Sequence, residues 1–146
     1  MSLIAPADQT RLREAFADMT RSVTLIFFTQ TLDCETCLQT RQILDELPLL
    51  SDRIAIEEVN FVLEKDTAAR YGVDRVPAIA VAYDDAGERR DSRIRFLGAP
   101  AGYEFVSLIQ AILLAGGRGT SLSEQSLAHL AAVDKPVTMQ VFTTPT

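Results

Sequence analysis

Cys34 and Cys37 are the only cysteines in the chain, and the tetrad Cys34-Glu35-Thr36-Cys37 stands where an apolar run gives way to an apolar pattern at helical spacing. A thiol attacks as its thiolate, and free cysteine titrates near pKa ~8.5. At a helix N-terminus the unpaired N–H groups and the dipole favour the anion. The spacing therefore predicts Cys34 in the first turn of a helix as an exposed nucleophile. Cys37 falls on the same side, sheltered and close enough to form a disulfide or to resolve a mixed one. Asp33 and Glu35 flank Cys34. Their charges oppose the helix, so the thiol is expected in the upper part of the range known for CxxC nucleophiles. The poise then lies nearer a reductant or neutral shuttle than a strong oxidant. Thr36 reads either as a hydrogen-bond donor to the thiolate or as a plain helix-surface residue. The competing use of CxxC is half a zinc site. Zinc takes four ligands, and the single histidine, His129, falls on a distant predicted helix, so no metal is expected.

The elements that must position this pair follow from the apolar spacing. "SVTLIFF" is a nearly continuous apolar run and predicts a strand buried on both faces. It delivers the chain to the cysteines. Before it, Pro6 and Asp8 suit a helix start, and Leu12, Phe16 and Met19 repeat at helical spacing to about Thr20. After it, Asp33 is expected to cap a helix with Cys37, Leu44 and Leu47 on its apolar face, stopping at Pro48. "RIAIEEVNF" predicts a strand with an irregularity near Glu57–Glu58. Asp66 is expected to cap a short helix ended by Gly72. "AIAVAY" and "RIRFL" read as strands joined by the loop "DDAGERRDS", and "YEFVSLIQAILLAGG" as a helix ended by Gly116–Gly117. The order is αβαβαββα.

Bulk properties bound the function. The 146 residues suit one domain, and 47% hydrophobic content suffices for a core. A net charge of −6 argues against nucleic acid or an anionic membrane as partner. No stretch approaches the ~20 apolar residues of a membrane span, and the first residues lack a basic segment followed by an apolar one. A cytoplasmic protein is expected, where a CxxC pair is more often catalytic or metal-binding than structural. Arg75 reads as a guide for acidic substrates or as a solvated arginine.

The end of the chain repeats its beginning. "SVTLIFFTQT" and "PVTMQVFTTPT" match at Val23 and Val137, Thr24 and Thr138, Phe28 and Phe142, and Thr29 and Thr143, and an amphipathic helix precedes each. The organisation predicted is a redox domain over residues 1–117. Residues 118–146 are then a linker helix and the first strand of a second, truncated unit. An apolar strand without partners is a template for pairing. It is expected either to form a homodimer with a neighbouring chain or to be poorly ordered alone.

The stretches "FFTQTLDCETC", "RYGVDRVPAIAV" and "RFLGAPAGYEF" together resemble the thioredoxin-like superfamily. More closely, the chain resembles the N-terminal unit of tandem, glutaredoxin-like protein disulfide oxidoreductases of archaea and thermophilic bacteria. The resemblance implies a thioredoxin-like α/β fold: a central mixed sheet, helices on both faces, and an extra N-terminal helix–strand. It implies a cis peptide bond at Val76–Pro77, with the Val76 backbone presented to substrate beside Cys34, and Gly98 keeping the groove rim low. It implies a dithiol–disulfide oxidoreductase with no cofactor beyond a redox-active Cys34–Cys37 disulfide. Its partners would be disulfide-containing proteins and a reductase or second thioredoxin-like unit. Asp33 stands where thioredoxins carry tryptophan, and "SVTLIFF" lacks their buried acid. The alternative is a docking module that binds substrate or partner while chemistry occurs at a second CxxC, as in alkyl hydroperoxide reductase flavoproteins.

Overall fold

The computed structural model describes residues 2–144. The elements in chain order are α1 (Pro6–Ala17), β1 (Val23–Thr29), α2 (Cys37–Asp45), β2 (Ile54–Asn60), α3 (Lys65–Arg70), β3 (Ala78–Asp85), β4 (Glu88–Leu97), α4 (Tyr103–Ala115) and α5 (Glu124–Ala131). The four strands form one mixed sheet in the order β2–β1–β3–β4. β1 runs parallel to β2 and antiparallel to β3, and β3 runs antiparallel to β4. The first helix and the strand after it are α1 and β1. Among the described residues no helix is long and apolar enough to cross a membrane.

β1 is interior because its side chains are apolar in both phases. Val23, Leu25 and Phe27 join a core with Phe16 of α1, Leu44 of α2, Ile79 and Val81 of β3, and Leu108 and Ile112 of α4. Ile26 and Phe28 point the other way, into a second core with Val59, Val73, Ala68 of α3 and the alanines Ala78, Ala80 and Ala82 of β3. Three helices thus cover one face. The short α3 covers the other, where small side chains on β3 let it sit close.

Several local expectations are corrected. β2 pairs with β1 from Ile54 to Asn60 without a register break, so no irregularity occurs at Glu57–Glu58. The change of phase arises because β2 is an edge strand: Ile54 feeds one core and Val59 the other. The predicted nine-residue loop "DDAGERRDS" is mostly strand. β3 and β4 pair as far as Asp85 and Glu88, and the turn is Ala86–Gly87, both at positive φ, as a two-residue hairpin of this hand requires. Asp66 lies within the first turn of α3 and does not cap it. Asn60 organises the turn just before α3, its Oδ1 accepting from the N–H groups of Val62 and Leu63. Val137 to Thr144 form no strand, and Val137, Met139, Val141 and Phe142 are exposed; the rest of the predicted strand, residues 145–146, lies outside the described residues.

Two tethers hold the helical face together. The Glu46 carboxylate, just past α2, accepts from the Ser2 hydroxyl and from the N–H groups of Leu3 and Ile4. Partial burial raises the Glu46 pKa, but these hydrogen bonds outweigh it and leave the carboxyl below its ordinary value. The second tether joins the end of α4 to the start of β1. The Gly116 carbonyl accepts from the N–H groups of Thr20 and Arg21 at 2.8 and 3.0 Å. The approach leaves no room for a side chain. Gly117 has φ +106°, and a Cβ there would fall 2.1 Å from Thr20 Oγ1. Gly117→Ala is expected to destabilise the fold by about 1–3 kcal/mol. A lowered urea midpoint at unchanged slope is the expected readout, and a wild-type midpoint would show that this contact is not needed.

Candidate functional site

The parallel pairing of β1 and β2 needs a crossover, and α2 provides it. A crossover helix must begin at the end of the sheet where its strand finishes. That geometry brings the two cysteines to the C-terminal end of β1, and they are joined as a disulfide with Cα atoms 5.5 Å apart. Cys37 is the first residue of α2 and is only 5% exposed. Cys34 is half-buried and lies outside the helix, followed by a turn at Glu35–Thr36. This corrects the expectation that Cys34 occupies the first helical turn. The helix effect still reaches it, because its sulfur is bonded to that of the first helical residue. The first intrahelical bond is Thr40 N–H to Thr36 O, so the N–H groups of Cys37, Leu38 and Gln39 are left free by the helix and favour negative charge nearby.

Asp33 does not cap α2. It has φ 55°, and Thr36 is the capping residue with no side-chain cap. Gln30, missed in the sequence, holds the loop: its amide donates to the carbonyls of Leu32 at 2.8 Å and Asp33 at 3.4 Å. The visible signal was a polar amide placed directly after an apolar strand. Thr36 contributes its carbonyl, which takes both the N–H and the hydroxyl of Thr40. Among the described hydrogen bonds none uses the Thr36 hydroxyl, and Thr36 acts here through its backbone.

Val76, Pro77 and Gly98 come to the same end of the sheet. Ala78 pairs with Phe28 on one side and Leu97 on the other, so Pro77 lies level with the end of β1 and Gly98 with the end of β4. The Val76–Pro77 peptide bond is cis. Gly98 N–H donates to the Pro77 carbonyl at 2.9 Å, whereas none of the described hydrogen bonds uses the Val76 backbone. Gly98 has φ +97° with open space where a side chain would stand. Arg75 donates to Asp74 at 2.8 and 3.2 Å. The pair hold each other charged, with the Asp74 carboxyl below and the Arg75 guanidinium above their ordinary values. His129 lies on exposed α5. Among the described residues no group of three or more histidine, cysteine, aspartate or glutamate side chains could hold a metal ion.

The loop that carries Val76 is fastened from β4 by a residue the sequence did not single out. Arg95 donates through Nε to the Tyr71 carbonyl at 3.0 Å, and its guanidinium lies 5.5 Å from the centre of the Tyr71 ring. Nη1 and Nη2 grip Asp91 at 2.8 and 2.6 Å, and Nη1 also donates to the Ile94 carbonyl at 3.1 Å. A β-bulge makes the grip possible. The register shifts between Ala80 and Ala82, Arg93 takes φ 65°, and Asp91 accepts from the Arg93 N–H. Tyr71 packs edge-on against Phe28, which completes the second core.

With the geometry in hand, comparison with known proteins defines the fold as thioredoxin-like α/β. The N-terminal N/C domain of alkylhydroperoxide reductase AhpF from Enterococcus faecalis superposes with a TM-score of 0.80 at 27% identity, covering 90% of this chain and 62% of that one. A protein disulfide oxidoreductase from Aeropyrum pernix superposes with a TM-score of 0.70 at 22% identity, covering 88% of this chain and 54% of that one. This chain therefore spans little more than half the length of either. In sequence, a probable thioredoxin of Methanothermobacter thermautotrophicus is 29% identical over 77 residues, 52% of this chain and 80% of that protein. No protein-family profile matches the chain.

The Asp91–Arg95 grip gives a pH dependence of known sign. The hydrogen bond from Arg95 lowers the Asp91 carboxyl below its ordinary range, against the opposing effect of partial burial. A lowered folded-state pKa adds stability above the unfolded value of about 3.9, and that stability is lost as pH falls through the folded value. Asp91→Asn is therefore expected to be less stable than wild type near neutral pH, by under about 1 kcal/mol given solvent screening. The two urea midpoints should draw together as pH falls below that unfolded value. A constant difference across that range would place the effect of Asp91 outside its charge.

Proposed function

We propose that the chain is a thiol–disulfide oxidoreductase whose working couple is the Cys34–Cys37 dithiol. One observation carries the reading: a bonded cysteine pair with one sulfur-bearing residue half-exposed and the other buried, at the start of a crossover helix, in a fold shared with named disulfide oxidoreductases. In the reducing direction the Cys34 thiolate attacks a substrate disulfide. A Cys34–substrate disulfide forms and one substrate thiolate leaves. The Cys37 thiolate then attacks Cys34 Sγ, releasing the second substrate thiolate and re-forming Cys34–Cys37. Two electrons pass to the substrate, and a reductase or second thioredoxin-like unit must return them. Among the described residues the buried polar side chains are those of Thr29 and Thr40, so the Cys37 proton has no buried carboxylate to receive it and goes to water.

Val76, at the same end of the sheet as the cysteines, is proposed to offer its backbone to an extended substrate segment, and Gly98 leaves the rim open. The proposed substrates are protein disulfides. The glutaredoxin-like part of the reading concerns the dithiol route and not the use of glutathione. No cofactor beyond the couple is invoked, and the proposed compartment is the cytoplasm. The docking-module alternative has less support, because both cysteines are intact and paired.

Reduction of insulin by dithiothreitol in the presence of the chain tests the proposal. Wild type should accelerate precipitation, Cys34→Ser should fall to the uncatalysed rate, and Cys37→Ser should accumulate a mixed disulfide visible by mass spectrometry. Equal activity of wild type and Cys34→Ser would leave only the docking role.

Residues 118–146 are proposed as a linker helix and the opening of a second unit. The support is the repeated "VT…FT" pattern and the lack of buried residues in α5. Deleting residues 136–146 should leave insulin reduction within about twofold of wild type, since residues 136–144 are exposed. Loss of folding on deletion would show that the segment belongs to this domain.

A further inference from the structure

Cys34 sits in sequence between two carboxylates that no other described residue uses. Asp33 and Glu35 are both exposed. Neither takes part in an ion pair or side-chain hydrogen bond among those described. The loop around them, residues 30–36, holds no arginine, lysine or histidine. Two arginines on the flanking elements are spoken for. Arg41, one turn into α2, is bonded to Glu58 at 2.6 Å, and Arg75 to Asp74. Lys65 stands in sequence between Glu64 and Asp66. The carboxylates are also held in place, because the Gln30 amide grips the backbone at Leu32 and Asp33 and fixes the left-handed turn at Asp33.

Disulfide exchange demands direct sulfur-to-sulfur bonding with Cys34. The residues on either side of a substrate cysteine must then come within a few ångströms of Asp33 and Glu35. The rim beyond is apolar, with Leu32 77% and Leu63 80% exposed, and an apolar rim does not distinguish one charge from another. We propose, resting on the oxidoreductase reading, that Asp33 and Glu35 are specificity residues: they select disulfides whose cysteines are flanked by arginine or lysine and reject those flanked by acidic residues. Arg75, the sequence candidate for guiding acidic substrates, cannot oppose them while Asp74 neutralises it.

The test uses the pre-reduced full chain in single turnover, with no added reductant. The probes are two symmetric peptide disulfides, one with arginine and one with glutamate on both sides of each cysteine, and neutral bis(2-hydroxyethyl) disulfide. Each peptide rate is divided by its rate with 2-mercaptoethanol, a neutral thiol, to remove the intrinsic reactivity of the peptide. The normalised arginine-to-glutamate ratio for wild type should be about tenfold or more at low salt and should shrink towards one at high salt, as screening shortens the reach of exposed charges. In the D33N/E35Q variant the ratio should fall to within about twofold of one even at low salt. Asparagine tolerates the left-handed backbone at position 33, so the loop should persist, and a thermal melt checks that it does. The ratio is the readout because removing the two charges also changes the Cys34 thiolate, and that change is common to both peptides. A wild-type ratio near one, or a large ratio that survives in D33N/E35Q, overturns the proposal. Failure to reduce bis(2-hydroxyethyl) disulfide as well would overturn the exchange reading itself, and this inference with it.

Discussion

The arrangement rests on β1 being buried on both faces and parallel to β2. A strand with apolar side chains in both phases has to lie inside a sheet with cover on either side. Its parallel neighbour then requires a crossover, and the crossover helix must start where the strand ends. The cysteine pair occupies that joint. The antiparallel run of β3 on the other side of β1 brings Val76 and Pro77 to the same end, and β4 adds Gly98. The site is therefore a consequence of strand direction: three chain segments, distant in sequence, meet at one end of the sheet.

The sequence made the order of elements legible because burial leaves a periodic mark. β1, α4 and the apolar face of α2 carry it strongly. The cysteine pair, the proline and the glycine stood out by residue type and spacing. What was misread lies where burial is partial. β4 is an edge strand rich in arginine, glutamate and aspartate, so its first half looked like loop, although Glu88 to Asp91 pair with β3. The boundary at Cys34 was placed inside the helix because Asp33 looked like a cap, and a residue type does not reveal that its φ is positive. Arg95 acts through the Tyr71 carbonyl, in a segment brought near by folding, and no spacing rule points to such a partner; the Gln30 bonds are local, but they serve an irregular loop that leaves no periodic mark.

The C-terminal segment shows the complementary limit. Val137 to Phe142 repeat the pattern of β1, yet in this structure they are exposed and form no strand. A strand is not a property of its own sequence in the way a long helix can be. β1 is a strand because β2 and β3 supply partners for its N–H and C=O groups, and the same pattern without such neighbours has nothing to pair with.

The tether at Glu46 has a consequence for motion. α2 is pinned at its far end, where the Glu46 carboxylate gathers Ser2, Leu3 and Ile4 and the Arg13 guanidinium reaches the Leu49 carbonyl. At its near end Cys37 and Thr40 are buried. A helix anchored at both ends behaves as a fixed post when the sulfur–sulfur bond opens and closes. With the Gln30 amide holding the loop that precedes it, the bond opens and closes between two supported segments, like a clasp set in a rigid frame.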